Sequence, residues 1–412
     1  MTSSGLTTAG TRHREVVTEL TRRYGTPLYV YDLAVVRAAV QDLLAALPAG
    51  VEVYYSAKAN PHPVLIAAVA GLGLRVEISS RGELEAAARA GVPAERCLYT
   101  GPAKTREEMA HGVARGVRLF SVESPVDRQR LTCAAGEPVD YLVRLNGRTA
   151  PGPAGLRMTG VPTQFGVSAE TLAPGSALFR PAGNARPVGV HLFSASNVPD
   201  GSALLGELTT NLAVAVHTCA RMAFQPELVD LGGGFGAPFA TPGPRPAYPY
   251  LRQGLSTALD EALPGWRLGE PRVAVESGRY LVAGAGTLLT QVMDRKAPDG
   301  REYLVCDAGV NALGGMSGLG RLLPAAQPEH QPVDSAAAVL TGPLCTPLDV
   351  LSRAARVGDV AVGDVLAIPN VGGYGLTASL VAFLGRPLPV EVVLDGDEVV
   401  AVRQLTISET AW

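Results

Sequence analysis

The sequence predicts an α/β protein, a (β/α)8 TIM-like barrel followed by a mainly β C-terminal domain. From about Val51 to Glu276, short β-branched apolar runs alternate with Ala/Leu/Glu-rich stretches of helical period, at the spacing of βα units. Eight such runs are present, which is the strand count of a closed parallel barrel. After Glu276 the helical stretches give way to strand-like runs. A chain of 412 residues, 47% hydrophobic and 18% charged, can bury more than one core, so two domains are expected. The expected boundaries are 1–27 for an N-terminal segment that partly joins the β domain, 28–276 for the barrel and 277–412 for the β domain.

The barrel strands read, in order, as Val51 to Tyr55, Arg75 to Ile78, Cys97 to Thr100, Leu119 to Val122, Tyr141 to Leu145, Val188 to Leu192, Leu228 to Asp230 and Arg272 to Glu276. Gly82 to Ala90, Thr105 to Ala114 and Ser202 to Met222 carry helical periodicity and are long enough for parallel crossovers. In the second domain, Thr287 to Met293, Glu302 to Cys306, Ala337 to Leu340, Val365 to Ile368 and Val390 to Leu394 read as strands. Two stretches rich in Gly and Pro or Leu, Arg148 to Gly166 and Gly309 to Pro328, read as long loops, which in a compact enzyme are either functional or mobile.

Composition narrows the function. The formal net charge is -3 and there is no long Lys/Arg run, so neither nucleic acid nor an anionic membrane surface is an expected partner. Met1 to Gly10 lack the charged start and apolar core of a signal peptide, and no apolar run is long enough to span a bilayer. The five cysteines, at 97, 133, 219, 306 and 345, are odd in number, far apart and without CxxC spacing, which argues against a disulfide framework or a zinc site; a reducing cytoplasm is expected, and no metal.

Several segments carry chemistry. Tyr54-Tyr55-Ser56-Ala57-Lys58-Ala59-Asn60-Pro61 places a lysine just past an early strand, where barrel enzymes build their active sites. A lysine there suits imine chemistry with an aldehyde cofactor such as pyridoxal 5′-phosphate, although a lone lysine after a strand is more often a solvated surface residue. Leu231-Gly232-Gly233-Gly234-Phe235-Gly236 follows a strand and lets backbone N–H groups approach a phosphate, or is simply a tight connection. Val275-Glu276-Ser277-Gly278-Arg279 ends the last barrel strand. Its Glu could hold a proton on a pyridine nitrogen while Gly and Arg reach a phosphate, or it is a strand-end salt bridge. His191-Leu192-Phe193-Ser194 offers a flat imidazole and a hydroxyl at another strand end, or a structural histidine. Gly342-Pro343-Leu344-Cys345-Thr346-Pro347-Leu348-Asp349 and Gly372-Gly373-Tyr374-Gly375 are turn-rich segments of the second domain. In isolation, a cysteine between such turns is more often a packed small hydrophobe.

Taken in order, these segments resemble the fold-type III pyridoxal-phosphate decarboxylases of diaminopimelate, ornithine and arginine, over roughly residues 25 to 400. The family's Tyr-x-x-Lys-Ala-Asn segment matches Tyr55 onward, so the resemblance implies that Lys58 is the Schiff-base lysine. It implies ring stacking by His191 and phosphate binding by Ser194, with Phe193 in the place of the usual glycine. Gly232, Gly233, Gly234, Gly278, Arg279 and Tyr374 match the phosphate cradle. Glu276 matches the carboxylate on the pyridine nitrogen, with Ser277 where proline is usual. Alanine racemases place an arginine there, which makes racemisation the weaker reading.

Cys345 matches the catalytic cysteine that in this family crosses into the partner subunit's site, which implies a homodimer with shared active sites. The residue after it is normally an acid that receives the distal ammonium of the substrate; here it is Thr346. A buried ammonium without a partner is costly, so the substrate is expected to lack one. The motifs look most like the branch that decarboxylates acidic amino acids, glutamyl or methylaspartyl, tethered to an acyl carrier protein in natural-product biosynthesis. Arg321, Thr346 and Asp349 are the expected substrate-binding residues. The alternatives are a free diamino-acid decarboxylase, against which Thr346 speaks, and a non-catalytic regulatory homologue, against which Lys58, Glu276 and Cys345 speak.

Overall fold

In the computed structural model the described residues are 11–147, 156–157, 163–198, 200–314, 325–331 and 335–410. They divide into two compact units. One comprises the described parts of Met1–Ala38, Ala237–Arg245 and Val282–Trp412, the other Ala39–Gly236 and Pro246–Leu281.

The second unit is the barrel. Strands β2 (Val51–Ser56), β3 (Arg75–Ile78), β4 (Cys97–Tyr99), β5 (Leu119–Val122), β6 (Val139–Asn146), β7 (Ala185–Leu192), β8 (Leu228–Asp230) and β9 (Arg272–Ser277) coincide with the eight expected runs to within a few residues. They pair in parallel in the order β5-β4-β3-β2-β9-β8-β7-β6, and a β5–β6 pairing closes the ring. The crossovers include α3 (Pro63–Gly71), α4 (Arg81–Arg89), α5 (Arg106–Ala114), α6 (Pro125–Ala134), α7 (Gly201–Arg221) and α8 (Leu251–Ala262). Their starts are chemically marked. Ser80, Ser124 and Asp200 accept backbone N–H bonds as N-caps of α4, α6 and α7, and Thr105 with Glu108 forms a capping box on α5.

The barrel interior changes character along the strands. Tyr54, Leu98, Leu142, Val188, Leu228 and Ala274 form one buried apolar cluster. Two residues further on, the same faces carry Ser56, Thr100, Arg144, Asp230 and Glu276, all buried. Because the side-chain period of a strand is two, the step from an apolar to a polar layer occurs on the inward face, at the C-terminal ends of the strands. That is the end at which barrel enzymes place their chemistry.

The other unit is mainly β. Its sheet runs β13 (Val350–Arg356), β12 (Ala337–Thr341), β11 (Tyr303–Cys306), β10 (Gly286–Lys296), β1 (Leu28–Asp32), β15 (Val390–Asp395) and β16 (Glu398–Gln404), with β14 (Val365–Ile368) also paired to β10. β1 lies antiparallel to β10 and parallel to β15. Leu28, Val30, Leu289, Val392 and Leu394 pack with Leu20 of α1 (Thr11–Tyr24) into one core. The compact unit that contains the barrel begins at Ala39, within α2 (Leu33–Ala46), and its last segment ends at Leu281, while β1 lies in the other unit. The reason is that the apolar side chains of β1 find their partners in the β sheet. No helix among the described residues is long and apolar enough to cross a membrane.

Candidate active site

Lys58 lies in a single 3-10 turn, Ala57–Ala59, directly after β2, and its neighbours Ala57 and Ala59 are buried. Its Nζ donates to both carboxylate oxygens of Glu77 on β3, at 3.0 and 3.1 Å. The face of the Phe193 ring lies 5.4 Å from the same Nζ. The Lys58 side chain is 39% exposed whereas that of Glu77 is 1% exposed, so the amine is reachable while its counterion is not. Burial by itself would raise the Glu77 carboxyl; the Lys58 ammonium and hydrogen bonds from Thr100 and Ser56 outweigh it and hold the group at about 2. Glu77, Thr100 and Ser56 were not singled out in the sequence. The available signal was a carboxylate in register with Ser56 and Leu98 on the short strand Arg75-Val76-Glu77-Ile78.

On the far side of β2 the barrel carries His191, Asp230 and Glu276. The Nδ1 of His191 shares a hydrogen bond with Ser121 at 2.8 Å. Its Nε2 approaches Glu276 Oε1 to 3.0 Å. The approach is out of line for a hydrogen bond, and both atoms are buried without a hydrogen-bond partner. A buried carboxylate oxygen left open in this way suits a donor such as a protonated pyridine nitrogen.

The glycine turn is tightly confined. A Cβ on Gly232 would stand 2.2 Å from the Leu192 carbonyl oxygen, and one on Gly233 2.3 Å from that of Glu276. Gly232 and Gly234 also have φ of +73° and +122°, so no other residue serves at these positions. Ser194 is buried, and its hydroxyl accepts from Asn211, which also donates to the Leu231 carbonyl; Asn211 thus ties Ser194 to the glycine turn. Gly278 backs onto the lysine turn, where a Cβ would meet that of Ala59 at 2.9 Å. Arg279 begins the short helix that follows. An open buried carboxylate, a reachable lysine and a glycine turn with a neighbouring hydroxyl fit the pyridine, aldehyde and phosphate ends of pyridoxal phosphate.

The remaining expected site residues belong to the β unit. Cys345 is exposed and Thr346 half-buried, in a turn where the Thr346 hydroxyl accepts from Leu348 N–H. Tyr374 is half-buried, with a φ of +57°. Asp349, an expected substrate-binding residue, is buried, and its two oxygens accept the N–H groups of Val310 and Leu344 at 2.7 Å each. Gly309 and Gly342 press on that carboxylate so closely that a Cβ on either would collide with it. Asp349 therefore braces the turn that carries Cys345. Arg321 lies outside the described residues.

The sequence signature described as "Pyridoxal-dependent decarboxylase, pyridoxal binding domain" matches residues 33–283. L-glutamyl-(BtrI acyl-carrier protein) decarboxylase of Niallia circulans is 29% identical over 394 residues, covering 92% of this chain and 90% of that protein. A diaminopimelate decarboxylase of Actinosynnema pretiosum subsp. auranticum is 33% identical over 402 residues, covering 94% and 89%. The crystal structure of a diaminopimelate decarboxylase from M. jannaschii in complex with L-lysine superposes with a TM-score of 0.80 at 27% identity, covering 93% of this chain and 90% of that one. With the barrel, the mainly β partner unit and a site suited to the cofactor, these matches establish that the chain belongs to the pyridoxal-dependent decarboxylase family and is a pyridoxal-phosphate-dependent amino-acid decarboxylase.

Proposed function

We propose that this decarboxylase acts on an acidic amino acid, glutamyl or methylaspartyl, held through its side-chain carbonyl on an acyl carrier protein in natural-product biosynthesis. One observation carries the reading. The turn 342–349 contains a single acid, Asp349, and both of its oxygens are taken by backbone N–H groups. Beside Cys345 stands Thr346, so the turn offers no carboxylate to a distal ammonium, and a substrate bearing one would bury an unpaired charge there. A thioester-linked side chain brings no such charge. The name of the Niallia circulans relative points the same way.

In this reading Lys58 would hold the cofactor through its amine, beside the sealed Glu77 carboxylate. Pyridoxal phosphate supplies the sink for the electron pair left on the α-carbon when carbon dioxide departs. Glu276 would hold a proton on the pyridine nitrogen, and His191 would pack against the cofactor ring. The backbone of Gly232, Gly233, Gly234 and Gly278, with Ser194, Arg279 and Tyr374, takes the phosphate. Cys345, from the partner subunit of a homodimer, delivers the proton to the α-carbon. Replacing Cys345 by Ala should lower turnover by about 10²- to 10⁴-fold, the usual worth of a positioned proton donor, with the cofactor absorbance retained.

The second reading, a free diamino-acid decarboxylase, draws on the diaminopimelate decarboxylases among the relatives, which are as similar as the carrier-protein enzyme. The deciding experiment offers the cofactor-loaded protein free glutamate, ornithine, arginine and diaminopimelate beside glutamyl- and methylaspartyl-carrier-protein thioesters, and follows carbon dioxide loss by mass spectrometry. Loss from the thioesters alone is the expected result. Turnover of a free diamino acid would overturn it.

A further inference from the structure

Asp230 ends β8 with its side chain turned into the polar layer of the barrel, and it is fully buried. One oxygen accepts the N–H of Gly232 at 2.9 Å, at the start of the glycine turn; the other is buried without a hydrogen-bond partner. His191, Asp230 and Glu276 each offer an atom within 4.8 Å of the other two. The titratable groups that face Asp230 are Glu276 on β9, His191 on β7, Glu77 on β3 and Tyr54 on β2. Of these only His191 can become a cation, and its Nδ1 is engaged by Ser121. The Lys58 ammonium is engaged by Glu77. Two carboxyls this close and this far from water disfavour ionising together, and the full burial of Asp230 favours its protonated form.

We propose that Asp230 is a positioning residue of the cofactor site: as the neutral member of the pair it anchors the glycine turn through Gly232 and leaves the negative charge to Glu276, on the pyridine nitrogen. This rests on the cofactor arrangement proposed above. Asp230 is fully buried with one oxygen open, and the His191 ring stands 3.0 Å from Glu276. Burial first, and then the charge of Glu276, push the Asp230 carboxyl up to about 7, against the opposing pull of His191 and of the Gly232 N–H. Asp230 thereby connects the two ends of the site, which lie on different strands.

The test compares the full-length, cofactor-loaded wild type with Asp230→Asn, Asp230→Ala and Glu276→Gln. Equilibrium dialysis followed by absorbance reads cofactor affinity, and thermal unfolding across about pH 4.5 to 7.5 reads the proton. A buried acid whose carboxyl is raised costs stability as pH climbs from its unfolded value towards its folded one, because the unfolded chain gives up the proton first. Asp230→Asn, a neutral isostere that still accepts from Gly232, should therefore gain a few degrees on the wild type across that interval and keep its cofactor affinity within about threefold. Asp230→Ala, which leaves Gly232 N–H unpaired, should weaken cofactor binding about tenfold or more. A pH-independent difference between Asp230→Asn and wild type would overturn the proposal. So would a loss of cofactor from Asp230→Asn as deep as that from Glu276→Gln, or wild-type affinity in Asp230→Ala. If the wild type itself bound no cofactor, the arrangement of the site would fall, while the unfolding comparison would still report whether Asp230 holds the proton.

Discussion

The barrel contains two lysine–carboxylate pairs of nearly equal length and opposite character. Lys58 lies 3.0 Å from Glu77, and Lys104 lies 2.8 Å from Asp127. In the first pair the carboxylate is sealed and the lysine is 39% exposed; in the second both side chains are nearly closed off, at 3% and 5%. Lys104 also donates to the Gly101 carbonyl and is held from both sides. Distance alone does not separate a reactive lysine from a structural one. Access does: an amine that must exchange partners with a cofactor and a substrate cannot be enclosed, but it can be aimed by a counterion that is.

Replacing each lysine should break the comparison most directly. Lys58→Ala should abolish the lysine-linked absorbance of the bound cofactor and the decarboxylase activity, and borohydride reduction of the wild type should leave the cofactor on the peptide containing Lys58. Lys104→Met should keep that absorbance but lose about 3–5 kcal/mol of stability by urea unfolding, because it leaves Asp127 a buried charge with no counterion and only the Glu123 N–H to hold it.

The counterion sharpens the contrast. Glu77 is held at about 2 against an ordinary value of 4.5, so its contribution to stability is present above about pH 4.5 and is lost as pH falls towards 2. Glu77→Gln should flatten that acid limb in unfolding midpoints measured across the same range, and cost about 1–3 kcal/mol at neutral pH. The smallest effect belongs to Thr100, whose hydroxyl donates to Glu77. Thr100→Ala should remove about 1 kcal/mol by the same measurement and leave the cofactor absorbance in place.

Of these two lysines, Lys58 was singled out in the sequence by the resemblance of the segment from Tyr55 to the family's lysine motif; its place after a strand would not by itself have distinguished it. Glu77, Ser121, Asn211 and Asp230 were not, because each is a single polar residue in an unremarkable strand or helix. Ser121 gains meaning only from the Nδ1 of His191, 70 residues away, and Asn211 only from Ser194 and the Leu231 carbonyl. Asp349 gains a structural role that its place in the chain does not show. Its place beside the cysteine motif suggested a substrate contact, yet the fold turns it inward onto Val310 and Leu344. A carboxylate four residues from a catalytic candidate can serve either the ligand or the backbone, and spacing along the chain does not distinguish the two.

What the amino-acid sequence determined by itself was what local periodicity encodes: eight parallel strands, their crossover helices, a change to strands after Glu276, and the motifs at the strand ends. The tertiary structure decided what depends on long-range pairing. It placed β1 between β10 and β15, closed the ring through β5 and β6, and gathered His191, Asp230 and Glu276 from three strands into one buried polar group. The physical reason is that hydrophobic period is a property of a short window of chain. The charge state of a carboxyl is instead set by which other groups the fold brings within a few ångströms and by how much water it removes.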